Sequence, residues 1–165
     1  MARITFEGLE GYMESLQRIE ADSQAITERA VYEGAAVVAD AVKEAIRTLP
    51  TDQGWGTRAN PLQGISPTQK EGLIDSFGVA PMQDDQGFLH VKIGFDGYNR
   101  VKSRKYPKGQ PNAMIARAAE SGTSFLKKTP FMAPAIRQAK PEAKKRMQRV
   151  FEEALNERRQ SAWPK

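Results

Sequence analysis

Residues 23–49 read SQAITERAVYEGAAVVADAVKEAIRTL, and this stretch decides the fold. Its apolar residues recur every three or four positions, as on one face of an α-helix, at Ile26, Ala30, Val31, Val37, Val38, Ala41, Val42, Ala45, Ile46 and Leu49. Gly34 interrupts the stretch. Glycine costs a helix about 1 kcal/mol relative to alanine, so its presence here favours close packing of another element against the helix. Pro50 follows directly and ends the run. We expect this helix to be the spine of the fold.

Shorter helical patterns lie on either side of this spine. Residues 9–19 predict an amphipathic helix, and a short strand is predicted before it at residues 2–8. Residues 113–121 predict a short helix that ends at Gly122, and residues 136–159 predict the last helix. Pro141 lies within that last pattern, where a proline either starts a new helix or kinks the existing one. The final residues, 160–165, are expected to fray.

Strand patterning occupies the middle of the chain. Residues 73–80 alternate apolar and polar or small side chains, and residues 87–95 do the same after the turn PMQDDQG. One face of the second strand is apolar: Leu89, Val91, Ile93 and Phe95. The pattern predicts an antiparallel hairpin of strands 73–80 and 87–95. We therefore predict a single α+β domain over residues 1–165, with the antiparallel sheet packed against the long helix of the N-terminal half and the C-terminal helix.

Two segments read as long loops, one at residues 50–70 and one at residues 97–112. The first is rich in proline and glycine, the second is rich in charged residues, and neither has a periodic apolar pattern. Such segments bury too little apolar surface to offset the entropy of ordering. We expect both loops to be poorly ordered in an isolated subunit and to become ordered in an assembly.

The composition excludes several kinds of chemical site. The chain has no cysteine, which excludes disulfides, thiolate zinc sites and cysteine nucleophiles. Its one histidine, His90, falls on the polar strand face without a partner base or a second ligand, so an exposed histidine outside any site is expected. The acidic residues do not show metal-ligand spacing, and no phosphate-binding glycine motif is present. We predict neither an enzyme nor a cofactor.

The sequence also bears on location. No stretch approaches the roughly 18 apolar residues that a membrane span needs, so no membrane contact is predicted. The start, MARITFEGLEGY, lacks the apolar region of a signal peptide. These features predict a protein that is made and kept in the cytoplasm.

Charge is divided unequally along the chain. Residues 1–100 carry nine Lys/Arg and 15 Asp/Glu, whereas residues 101–165 carry 16 Lys/Arg and five Asp/Glu. Five cations fall close together between Tyr98 and Tyr106 or just beyond: Arg100, Lys102, Arg104, Lys105 and Lys108. Cations beside aromatic rings suit phosphate contact and base stacking. The alternatives are opposite surfaces that meet between subunits, or helix and loop faces that are only solvated.

Residues 119–136 read AESGTSFLKKTPFMAPAI, a turn, a basic pair and a proline-framed aromatic directly before the last helix. Gly122 supplies a backbone conformation with positive φ, and Thr123 follows it. Pro130 and Pro134 restrict the chain around Phe131, and a rigid segment that carries an aromatic loses little entropy on docking. We therefore predict a subunit or partner docking element here. The alternative is that Phe131 packs its own terminal helix onto the sheet.

The order of elements resembles the tail-completion, or head–tail joining, family of tailed bacteriophages. Members resembling this chain begin with a "GLEEL"-type amphipathic segment, which residues 8–12 match, and continue with a long alanine-rich helix. A Thr-Gly-x-Leu-x-x-Ser segment follows, of which Leu73 and Ser76 keep the spacing. The family then shows Glu-Phe-Gly-Thr and Pro-Phe-Leu-x-Pro-Ala before a terminal helix. This chain has ESGT at residues 120–123 and PFMAPA at residues 130–135.

The resemblance implies a small α+β virion protein at the junction of head and tail, assembled in the host cytoplasm. It implies a homo-oligomeric ring, expected to be a hexamer, that completes the tail and helps to join it to the head. The expected neighbours are head-side connector proteins and tail-side terminator or tube proteins, and a basic lumen would contact passing DNA without sequence preference. The alternative from the residues alone is a DNA- or RNA-binding accessory protein that uses the basic C-terminal half.

Overall fold

A computed structural model describes the backbone of residues 9–161 and the side chains of residues 22–154, 156 and 157. The chain is of the α+β class, and the described part contains four helices and two small antiparallel sheets. In chain order the elements are α1 Leu9–Arg47, α2 Pro67–Ser76, β1 Phe77–Val79, β2 Gln83–Asp85, β3 Phe88–His90, β4 Ile93–Phe95, α3 Asn112–Ser121 and α4 Met132–Ser161. The strand predicted at residues 2–8 lies outside the described residues, as does the end of the tail.

Helix α1 is the spine that the apolar spacing predicts, but it is longer than expected. The helices predicted at residues 9–19 and 23–49 form one continuous helix that ends at Arg47. Its side chains Val42 and Ile46 are fully buried. A Cβ atom added at Gly34 would lie 2.7 Å from Cγ of Met147 in α4. Gly34 therefore allows α4 to pack closely against α1, and close packing at this position is what the sequence predicted.

Helix α2 replaces part of a predicted strand and of a predicted loop. Residues 73–76 are helical, so the strand prediction was wrong there, and the loop predicted at residues 50–70 ends at Ser66. Ser66 and Gln69 form a capping box, in which the Ser66 hydroxyl accepts from the Gln69 N–H (3.2 Å) and the Gln69 side chain accepts from the Ser66 N–H (3.0 Å). Pro67 at the first helical position is preorganised for this start. These local signals outweigh the short alternation that follows.

The four strands form one long hairpin with an irregularity in its middle. In β1 and β4, Phe77 pairs with Phe95 and Val79 with Ile93, whereas in β2 and β3 Gln83 pairs with His90. Between these two sets of pairs, the first side contributes three residues, 80–82, and the second contributes two, 91 and 92. The 80–82 side therefore carries one extra residue, as in a β-bulge. At the tip Gln86 and Gly87 both have positive φ, 54° and 88°, as a type I′ turn requires. We call the outer half, residues 83–90, the β-arm.

Helix α1 lies between the hairpin and α4. On one side the Met82 N–H donates to the hydroxyl oxygen of Tyr32 (2.7 Å), which ties the base of the β-arm to α1. On the other side α4 packs along α1 at Gly34, and Arg146 of α4 forms an ion pair with Glu33 (2.9 Å). The core lies where these layers meet α2 and α3, and its buried members are Ala39, Val42, Ile46, Leu49, Ile65, Leu73, Phe77, Ile115, Ala116, Ala119, Phe131 and Ala135.

The last two helices follow the prediction with one difference. Helix α3 ends at Ser121 and is followed by Gly122, as expected. Helix α4 begins at Met132, four residues earlier than its apolar pattern, and Pro141 lies inside it without ending it. Pro141 is exposed, so the carbonyl group that loses its helical partner there can be hydrated instead. Pro141 therefore does not start a new helix.

Candidate functional site

The junction between α3 and α4 is held by one carboxylate. Glu120, near the end of α3, accepts from three consecutive N–H groups at the start of α4: Phe131 (2.8 Å), Met132 (2.9 Å) and Ala133 (3.1 Å). Pro134, the next residue, has no N–H, and the Ala135 N–H donates to the Phe131 carbonyl (3.3 Å). The N–H groups of a first helical turn have no partner within the helix. Here Glu120 and Pro134 together account for every one of them.

Two opposing influences act on the pKa of Glu120. Burial is the largest and raises the pKa, because the carboxylate loses water. The N–H groups of Met132, Phe131 and Ala133 and the charge of Lys128 act in the other direction and together outweigh burial. The pKa of Glu120 is therefore lowered from its ordinary value, which keeps the carboxylate ionised at neutral pH. An ionised carboxylate also interacts favourably with the positive end of the α4 dipole.

A tight turn brings the chain from α3 back towards α4. Gly122 has φ 73° and ψ 168°, a region that is essentially restricted to glycine, which agrees with the predicted positive φ. A Cβ atom there would also lie 3.0 Å from the backbone nitrogen of Lys128. Thr123 bridges to Leu126, and its hydroxyl accepts from the Phe125 N–H (3.2 Å). Gly122 and Thr123 thus shape the loop that positions Pro130.

Phe131 lies in the core and not on the surface. Its side chain is 5% exposed, and its ring meets the ring of Phe95 edge-on with centroids 6.4 Å apart. Phe95 in turn contacts Phe77, with ring centroids 5.1 Å apart. This corresponds to the alternative in which Phe131 packs its own helix onto the sheet. An exposed docking aromatic at position 131 is therefore not what the subunit presents.

The two prolines that frame Phe131 line a groove between α1 and α4. The groove has a volume of about 470 Å³. Its walls are mostly apolar or small: Ala41, Glu44, Ala45, Thr48 and Leu49 from α1 and the residues after it, and Thr129, Pro130, Phe131, Pro134, Ala135 and Gln138 from α4 and the residues before it. We call this feature the α1–α4 groove. Pro130, Phe131 and Pro134, three of the five predicted docking residues, thus come together in one concave surface, with Phe131 as part of its floor.

The basic segment lies elsewhere, in the loop between β4 and α3. Two buried asparagines fix its base: the Asn99 side chain donates to the Asn112 side-chain oxygen (3.2 Å), and the Asn112 side chain donates to the Asp96 carbonyl (2.9 Å). Asn99 also bonds to the carbonyls of Thr68 and Gln69, both at 3.3 Å. The loop is therefore anchored to α2 and α3 at both ends. Only the part between these anchors projects.

All five predicted cations of this loop are exposed: Arg100, Lys102, Arg104, Lys105 and Lys108. Within the described side chains, the ion pairs are Arg47 with Glu44 and Arg146 with Glu33, and none of the five loop cations takes part. Lys105 lies over the Tyr106 ring, with its ammonium nitrogen 5.6 Å from the centroid. The loop and the α1–α4 groove are separate candidate surfaces.

Sequence patterns did not identify some of these features. No property of Glu120 or its neighbours indicates the start of a helix twelve residues later, and the pairing of Asn99 with Asn112 has no sequence signal. Phe88 is different, because the strand alternation placed it on the polar face, and it is 73% exposed. The alternation therefore predicted an exposed position for this aromatic side chain.

Among the described residues, no group of three or more His, Cys, Asp or Glu side chains is arranged to hold a metal ion. No helix in the described part of the chain has the length and apolarity to cross a membrane. Comparison of the chain with protein-family models, with curated proteins and with solved structures finds no significant match.

Proposed function

We propose that the protein is a structural subunit of the head–tail junction of a tailed bacteriophage. In this proposal the subunits form a homo-oligomeric ring, expected to be a hexamer, that completes the tail and helps to join it to the head. The ring contacts connector proteins on the head side and terminator or tube proteins on the tail side. The location is the virion, after assembly in the host cytoplasm.

The Glu120 contact is the observation that supports the proposal most. The two most specific motifs of the resemblance are ESGT at residues 120–123 and PFMAPA at residues 130–135. In the fold they are one unit, because the first residue of one motif accepts the N–H groups of Phe131, Met132 and Ala133 in the other. Two further residues of these motifs have a physical role in the fold. Gly122 makes the turn, and Pro134 takes a position without an available acceptor.

The charge split supports a ring as well. A closed ring needs heterologous contacts, in which one surface of each subunit meets a different surface of the next. Residues 1–100 carry an excess of acidic side chains and residues 101–165 an excess of basic ones, which would supply opposite charges for such contacts. The α1–α4 groove adds a concave surface that the subunit itself leaves open.

A joining assay tests the proposal. Phage particles produced without this protein are expected to accumulate as separate heads and tails, and purified protein is expected to restore joined particles in electron micrographs. Particles that join equally well without the protein would overturn the proposal. Loss of tail length control or of head filling, with joining intact, would assign the protein to another step of assembly.

A second candidate is a nucleic-acid-binding accessory protein, which the exposed cations of the 97–112 loop favour. Sequence-independent phosphate contact would weaken steeply with salt. Light scattering at modest salt, with and without duplex DNA, separates the two candidates. A closed oligomer without DNA supports the junction ring, whereas a monomer that binds DNA tightly supports the accessory protein. A variant with Lys102, Arg104 and Lys105 replaced by glutamine should lose DNA binding in the second case and keep its oligomeric state in the first.

A further inference from the structure

We infer that the α1–α4 groove receives the Phe88 side chain from the β-arm of a second copy of the chain. The inference rests on the ring proposed above and names the contact that closes it. It also changes the role of the proline-framed segment. Residues 130–135 supply the receiving surface, and the aromatic that docks comes from a different part of the neighbouring subunit.

The groove has the shape and composition to receive one large apolar side chain. Its floor and walls include Ala45, Leu49, Phe131 and Pro134, and its volume is about 470 Å³. The prolines at its edge have restricted backbones, and Glu120 fixes the first turn of α4 that forms one wall. A preformed apolar cleft of this kind loses little conformational freedom when it is filled.

The β-arm presents a matching knob. Phe88 is 73% exposed and follows a type I′ turn, so a rigid two-stranded tip carries it. The Asp84 side chain accepts from the Gly87 N–H (2.6 Å), which further restrains that turn. Among the described side chains, the aromatic neighbour of the Phe88 ring is His90, with centroids 6.4 Å apart. Aromatic side chains on rigid supports are typical anchors of protein interfaces.

The two surfaces lie on opposite sides of α1, so a subunit cannot fill its own groove. The base of the β-arm is tied to Tyr32, whereas Ala41, Ala45 and Thr48 line the groove. With 3.6 residues per turn, these three positions are rotated by about 160° to 220° from Tyr32, and Ala45 lies about 20 Å further along the helix axis. A knob on one side and a groove on the other produce a head-to-tail contact, which generates rings or filaments.

Charge complementarity at the edge of the groove favours the same pairing, because Glu44 in the lining is already paired with Arg47 (3.0 Å). Asp85 is exposed and pairs directly with Phe88 across the turn, so the carboxylate stands beside the knob. Arg137 is exposed on α4 between Pro134 and Gln138, which both line the groove. Arg137 has no carboxylate within ion-pair distance among the described side chains. Insertion of Phe88 would bring Asp85 to the edge of the groove where Arg137 is available.

Two other exposed aromatic residues, Trp55 and Phe125, fit this contact less well. Trp55 and Phe125 are exposed, but they lie on neighbouring loops, since a Cβ atom at Gly56 would collide with the Phe125 carbonyl. These loops lead directly from Leu49 and into Thr129, which line the groove. A contact between the groove of one copy and these loops of another would pair like surfaces, and such isologous contacts close dimers and not rings.

Cysteine crosslinking tests the contact cleanly because the chain has no cysteine of its own. In one variant Gln86→Cys at the arm tip is combined with Gln138→Cys at the groove. In the matched control Gln86→Cys is combined with Gln148→Cys, which is exposed on the same helix about 15 Å away along its axis. A thiol crosslinker should give a ladder of covalent oligomers that stops at the ring number for the first variant and little product for the control.

Two sets of substitutions identify the side chains. Phe88→Ala should weaken self-association, measured by light scattering over a dilution series, about tenfold or more, whereas Phe125→Ala should leave it unchanged. Asp85→Arg and Arg137→Asp should each weaken association, and the double variant should recover it, since every interface then carries the exchanged pair. Lys145→Asp, on the same helix outside the groove, serves as the control for Arg137→Asp.

The possible failures are distinguishable. A wild-type chain that stays monomeric at all soluble concentrations, with no crosslinks from either cysteine pair, would overturn the ring and the contact together. Oligomers that form normally with Phe88→Ala, or that crosslink equally through positions 138 and 148, would overturn the contact and leave the ring in place. A ladder that stops at two would show an isologous dimer and would also overturn the inferred contact.

Discussion

Replacement of Phe131 by alanine tests the packing of the core. The side chain is 5% exposed and packs against the ring of Phe95, so its removal leaves a cavity in the core. Loss of a buried phenylalanine costs about 3–5 kcal/mol of unfolding free energy. That is a large part of the roughly 5–15 kcal/mol that stabilises a typical domain. For a chain of this size, each kcal/mol lowers the melting temperature by about 2–4 °C, so a decrease of about 6–20 °C is expected.

Thermal and urea unfolding followed by circular dichroism measure this loss. The experiments should be done at a concentration where the chain is monomeric, because association would add to apparent stability. Phe88→Ala is the matched control, since that phenylalanine is 73% exposed and its loss should change the unfolding free energy by no more than about 0.5 kcal/mol. If Phe131→Ala stayed within about 1 kcal/mol of the wild type, Phe131 would not belong to the core.

Further predictions concern the α3–α4 junction and the basic loop. The pKa of Glu120 is lowered in the fold, so its stabilising contribution is complete above about pH 4.3 and is lost as the pH falls through the lower pKa of the folded state. Glu120→Gln should remove this part of the acid sensitivity, measured by urea titrations at several pH values. Gly122→Ala should cost about 1–3 kcal/mol in the same assay, since φ 73° and ψ 168° are unfavourable for alanine. In hydrogen exchange, the amides of Lys102, Arg104, Lys105 and Lys108 should exchange rapidly while the Asn99 amide, which donates to the Gln110 carbonyl (2.7 Å), stays protected, and uniform protection of the loop would contradict this.

Periodic patterns predicted the elements that are specified by the spacing of side chains within a short stretch of sequence. The stripe from Ile26 to Leu49 and the alternation from Leu89 to Phe95 both depend on side chains a few residues apart. The first agrees with α1, and the second agrees in part, because residues 91 and 92 separate β3 from β4. The helix at residues 67–76 was not predicted, because Leu73 and Phe77 satisfy a strand's alternation and a helix's four-residue spacing equally well. The capping box at Ser66 and Gln69 decided between them. A capping signal before an ambiguous apolar run therefore carries more weight than a short alternation.

The candidate site was predictable only where one residue fixes its own conformation. Gly122 is such a case, because positive φ is a property of that position alone. The burial of Phe131 was not decidable, since apolarity does not tell whether the partner surface belongs to the same chain or to another. The link from Glu120 to α4 depends on two elements meeting in space, and local spacing contains no record of that meeting.

The alternation of side chains along β2 and β3 limits how the β-arm can vary between related chains. Side chains on a strand alternate between its two faces, so inserting or deleting one residue on each strand of the arm would turn Phe88 to the opposite face. Changes of two residues on each strand keep the faces as they are and alter the length by about 7 Å. The β-arms of such chains should therefore differ in length by steps of about 7 Å. The distance between the neighbouring subunits that an arm joins should differ by the same steps.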